Sequence, residues 1–194
     1  VLNTLAGYLD TFKIGDPLDW ETDIGPVIDA NARAELLLHI ERFRSKNRVR
    51  YQSALPDLPG HYVPPTIIEL DDISELHEEV FGPILHVVRF HAHELPKLLD
   101  DIDSNGTGLT LGIHSRIDAR VTQIADRLAN GNVYVNRNMI GAVVGTQPFG
   151  GARLSGTGPK AGGPHYMLRF ATERTLTVNT AAVGGNASLL ELED

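Results

Sequence analysis

The sequence predicts a layered α/β fold. Strand-like and helix-like stretches alternate along its 194 residues, and no internal repeat or low-complexity tract interrupts them. Hydrophobic residues make up 42% and charged residues 22%, an ordinary globular balance at a length that can bury a real core.

Val1-Leu2-Asn3 reads as the interior of a helix and lacks an initiator Met, so a piece of a longer chain is expected. A helix is predicted over Asn31–Lys46: Leu36, Ile40 and Phe43 share a face at i, i+4, i+7, Asp29 suits the cap, and Arg44 and Lys46 suit the far end. Strands follow at Val49–Ser53, Thr66–Leu70 and Ile84–Phe90, then a short helix at Leu95–Ile102 and a strand at Leu109–His114. Asp118–Ala129 carries the helical stripe Val121, Ile124, Ala125, Leu128, and Asn130-Gly131 is expected to close it in a left-handed cap. Asn132–Asn136 is the next strand.

Between Met139 and Pro164 lie eight glycines and three prolines, a density typical of a functional loop on a scaffold. Helical character returns at His165–Phe170. Thr175–Asn179 alternates like a strand and is expected to pair with a partner chain, while Ala181–Asp194 reads as a loosely held tail.

A formal charge of −8 argues against a nucleic-acid binder or a polybasic membrane-surface protein. No apolar run reaches the 18 or so residues of a membrane span, and no signal-peptide pattern opens the chain, so a soluble, cytoplasmic setting is expected. The absence of cysteine removes disulfides, Cys-based zinc sites and any thiol nucleophile from this chain.

Several motif mimics fail on spacing. Gly106, Gly108, Gly112 and Gly156, Gly158, Gly162 each miss the dinucleotide fingerprint by one residue. Lys160 lacks the Gly-Lys-Ser/Thr order of a phosphate loop, and Ser155 lacks the setting of a nucleophile elbow. His86, His91 and His93 could be imagined around a metal, but no carboxylate is placed to complete the set, so solvated loop histidines are the expectation. Glu78-Glu79-Val80-Phe81-Gly82-Pro83 is more informative, because it should project Glu79 and Phe81 from a loop at a sheet edge. A carboxylate there can accept two hydrogen bonds from a vicinal diol, and an aromatic can pack on a flat heterocycle. Spacing alone favours a plain helix-to-strand connector.

Resemblance shifts that balance. Glu79-Val80-Phe81-Gly82-Pro83 resembles the Glu-x-Phe-Gly-Pro motif of the aldehyde dehydrogenase superfamily, and Asn105–Thr110 resembles its Asn-x-x-x-Gly-Leu segment. Gly131–Asn136 is similar to the Gly-x-Val-x-Val-Asn strand, and Pro148-Phe149-Gly150-Gly151 to the Pro-Phe-Gly-Gly turn. Gly15-Asp16-Pro17 and Gly25-Pro26 also fall in the family's order. Asn136–Gly145 and Ser155–Pro164 further resemble pyrroline-5-carboxylate dehydrogenases, and Val178–Ala187 is similar to the tail of that domain in bacterial bifunctional proline-utilisation enzymes.

The resemblance implies the later part of an open, largely parallel sheet with a C-terminal oligomerisation strand. It implies a catalytic-domain portion over residues 1–171, followed by strand and tail over 172–194. It implies NAD bound by Glu79 and Phe81, and L-glutamate γ-semialdehyde held by Gly141, Ala142 and Phe149. No catalytic residue is assigned to this chain, because the family's Cys and Glu base would precede Val1 in the same polypeptide. FAD would belong only to the proline dehydrogenase domain of a bifunctional parent, and a homo-oligomer is expected. Two alternatives stay open: a Cys-free structural relative of the superfamily, and an aldehyde dehydrogenase of other specificity.

Overall fold

The computed structural model describes residues 1–143 and 145–179. It contains α1 (Leu2–Leu9), α2 (Ala30–Arg44), β1 (Val49–Gln52), β2 (Thr66–Leu70), β3 (Ile84–Val88), α3 (Leu95–Ser104), β4 (Thr110–Ile113), α4 (Asp118–Arg127) and β5 (Asn132–Val135). No helix among the described residues is long and apolar enough to cross a membrane.

The first layer forms around α2. Asp29 accepts from the Ala32 amide at 2.8 Å, a cap worth about 1 kcal/mol. Asn47, in the left-handed region at φ 58°, turns the chain out of the helix and toward β1. Leu36, Ile40 and Phe43 form the buried stripe that spacing predicts. They pack with Val63, Ile68 and Leu70 beneath a sheet ordered β1-β2-β3. On the polar side, Glu69 on β2 meets Arg50 at 2.5 Å and Arg89 at 2.6 Å, tying the three strands laterally.

The second layer is the parallel pair β4-β5, crossed over by α4. Leu95 and Leu99 of α3 meet Leu128 there, with Ile102, Leu111 and Ile124 around them.

The largely parallel strand arrangement that the resemblance implies is present. β2-β3 and β4-β5 are parallel, β1-β2 is antiparallel, and the strands fall into two sheets. The left-handed cap at Asn130-Gly131 does not form. Leu128 leaves α4 extended at φ −107°, ψ 125°, because its side chain is drawn into the core. Gly131 is needed for a different reason, since a Cβ there would collide with the carbonyl of Gly150. Residues 175–179 lie outside the strands of this single chain. Residues 180–194, which include the whole of the predicted tail Ala181–Asp194, lie outside the described residues.

Phe43 is fully buried and sits 5.0 Å, ring to ring, from His39. Phe43→Ala should therefore cost about 3–5 kcal/mol, read as a lowered midpoint in urea unfolding.

Candidate active-site surfaces

Two surfaces carry the residues singled out by sequence. The first is an open cleft of about 880 Å³ between α2, the Pro26-Val27-Ile28 segment and residues 78–82. Gly82 lies so close to Leu36 that a Cβ would overlap that side chain, which lets the loop lie directly on α2. Glu79 lines the cleft, exposed and without a hydrogen-bond or ion-pair partner among the described residues. Phe81 stands beside it at 86% exposure, large apolar area held out in water.

His39 also lines this cleft, and its Nε2 lies 2.9 Å from Nε2 of His86 on β3. Burial, reinforced by charge on His39, pushes the half-buried His86 down to about 4. Burial and Arg42 also lower His39, opposed by Glu78. His91 and His93 instead stack on each other at 5.6 Å. Among the described residues no cluster of three or more His, Cys, Asp or Glu could hold a metal ion.

The second surface is the glycine-rich segment after β5. Gly141 adopts φ 72°, where an L side chain is strained, although a Cβ there would touch nothing within 4 Å. Ala142 is exposed, and Phe149 is partly buried in a bridge with Ala161, their backbones exchanging hydrogen bonds at 3.0 and 2.9 Å. Lys160 donates to the Gly131 carbonyl, and Arg153 clamps Asp103 of α3 at 2.7 Å. Asn132 and Tyr134, buried on one face of β5, reach the turn around Phe149 and the carbonyl of Gly141.

The structure thus brings Glu79 together with Phe81, and joins Gly141 to the Phe149 turn through β5. No hydrogen bond, ion pair or ring contact links the two surfaces among the described residues. Sequence reasoning passed over Asn132, Tyr134 and His39. Polar side chains at inward-facing strand positions were the available signal for the first two.

The aldehyde dehydrogenase family model matches residues 1–176. This chain belongs to the aldehyde dehydrogenase family. It is 51% identical over 180 residues to the bifunctional protein PutA of Klebsiella aerogenes, covering 89% of this chain and 14% of that protein. It is 39% identical over 173 residues to mitochondrial delta-1-pyrroline-5-carboxylate dehydrogenase of Mus musculus, covering 84% of this chain and 31% of that one. A crystal structure of a point variant of Bradyrhizobium japonicum Proline Utilization A superposes with a TM-score of 0.87 at 55% identity, covering 93% of this chain and 18% of the other. The described α/β architecture is therefore that of an aldehyde dehydrogenase fold, and the chain spans roughly one seventh of the length of its PutA relatives.

The histidine pair gives this surface a pH signature. Between the ordinary histidine value of 6.5 and about 4, the unfolded chain binds a proton that folded His86 does not. Stability should therefore fall as pH is lowered through that window, in urea titrations at successive pH values. His86→Gln should flatten the dependence.

Proposed function

We propose that this chain is part of an NAD-dependent L-glutamate γ-semialdehyde dehydrogenase of proline catabolism, oxidising the semialdehyde to glutamate. The observation that carries this reading is similarity, over nearly the whole chain, to both PutA and pyrroline-5-carboxylate dehydrogenases. A structural relative without activity would have no use for an unpaired carboxylate beside an exposed aromatic ring.

The cleft suits a dinucleotide's nicotinamide end. Glu79 can accept from both hydroxyls of a ribose, and Phe81 offers a face to a flat ring. NAD, when bound, supplies the acceptor for hydride. The residues of this chain orient and exclude water. With no cysteine in the sequence, the chain offers no thiol for a covalent step. That group and a Glu base are assigned to the upstream part of the same polypeptide, so the 194 residues alone are expected to be inactive. FAD enters only through a proline dehydrogenase domain, if the parent is bifunctional. Residues 1–171 are assigned to the catalytic domain, and 172–194 to a strand and tail for a homo-oligomer.

At the other surface, the substrate's remote carboxylate calls for donors. The Gly141-Ala142 backbone, unobstructed by side chains, can approach an anion closely, while Phe149 walls the aliphatic middle.

In the full-length protein, purified enzyme should oxidise glutamate semialdehyde with NAD+. Glu79→Gln keeps shape but loses the charged acceptor, a loss of about 1–3 kcal/mol, and should raise KM for NAD+ with folding unchanged. Unaltered NAD+ kinetics would return Glu79 to a mere connector. Ala142→Leu should raise KM steeply for glutamate semialdehyde and far less for a short neutral aldehyde. Equal impairment of both, or of neither, would remove the carboxylate assignment.

A further inference from the structure

Strand β5 turns two polar side chains inward. Residues two apart on a strand share a face, and Asn132 and Tyr134 are both buried, at 8% and 6% exposure. Groups so placed must find partners. Asn132 Nδ2 donates to the Pro148 carbonyl at 3.0 Å and to the Tyr134 hydroxyl at 3.3 Å. Its Oδ1 accepts from the Gly150 amide at 3.3 Å. Both neighbours of Phe149 are thus held by one carboxamide. The Tyr134 hydroxyl, having accepted from Asn132, gives its own proton to the Gly141 carbonyl at 2.9 Å.

That last bond has a directional result. In a planar trans peptide the carbonyl of one residue and the N–H of the next point opposite ways. Drawing the Gly141 oxygen inward to Tyr134 therefore aims the Ala142 N–H outward. The Ala142 amide makes no hydrogen bond among the described residues, and Ala142 is exposed. The left-handed φ of Gly141 lets the chain make this turn.

We propose that Tyr134 and Asn132 are positioning residues that fix the aim of the Ala142 amide and its spacing from Phe149. They thereby set preference for an aldehyde bearing a remote carboxylate. The inference rests on the substrate reading above. Neither side chain touches substrate. Tyr134 acts through the Gly141 peptide and Asn132 through Tyr134 and the Phe149 turn. Arg137, whose guanidinium lies 4.9 Å from the centre of the Tyr134 ring, helps hold that ring in register.

Tyr134→Phe in the full-length enzyme removes the donor and keeps the ring. KM should rise about tenfold for glutamate semialdehyde and less than threefold for propanal. Adding Ala142→Leu to Tyr134→Phe should raise KM for the semialdehyde by less than the product of the two single effects, because both changes act on one contact. An equal rise for both aldehydes, no rise at all, or fully multiplicative effects would overturn the assignment and leave the hydroxyl a structural bond. Should Tyr134→Phe fail to fold, Asn132→Asp serves instead. It offers Tyr134 an acceptor, diverts the hydroxyl proton from Gly141, and should reproduce the selective loss. A wild-type enzyme inert toward glutamate semialdehyde but active on propanal would instead sink the substrate reading, and this inference with it.

Discussion

A segment without a ladder of its own takes the shape that its few fixed hydrogen bonds impose, and the glycine-rich stretch after β5 is such a segment. Its buried amides and carbonyls must still be satisfied. Strand β5, the turn before it and the entry to β4 do much of this through inward side chains and well-placed carbonyls. Gly108 offers one carbonyl to the amides of both Gly131 and Ala152, at 2.9 and 3.0 Å, and its own amide donates to Ser155 Oγ at 2.9 Å. Asn132 holds Pro148 and Gly150, and Lys160 returns to Gly131. A loop fixed at so many points can present bare backbone without collapsing onto its scaffold.

The same logic separates the two surfaces. The Glu79–Phe81 loop is carried by α2 and precedes β3, whereas Gly141, Ala142 and Phe149 follow β5 in the other sheet. Each cradle is built by its own local packing. The aldehyde dehydrogenase family model spans both, over residues 1–176.

What was legible in the sequence was what local chemistry decides. Leu36, Ile40 and Phe43 announced α2 by their spacing, and Asp29 marked its start. β2 was bounded correctly at Thr66 and Leu70 because an apolar, β-branched run sits between a proline pair and two aspartates. What depended on distant partners was not legible. Gly131 looked like a helix stop because its true constraint, the Gly150 carbonyl, lies 19 residues away. The motif residues Glu79 and Phe81 came from resemblance, and their exposure was foreseeable from the turn around them. Tyr134 read simply as an aromatic in a strand. Only the fold shows that its hydroxyl ends on Gly141.

The contact between His39 and His86 obliges the two rings to differ. With Nε2 facing Nε2 at 2.9 Å, one neutral imidazole must carry its hydrogen on that nitrogen while the other leaves it bare and holds its hydrogen on Nδ1. The pair therefore has two tautomeric arrangements of equal charge, in each of which one ring carries its single N–H on Nε2 and the other carries its own on Nδ1. Which arrangement prevails depends on what each Nδ1 meets. A molecule entering the cleft beside His39 could change the hydrogen pattern on β3 without altering the net charge of either ring.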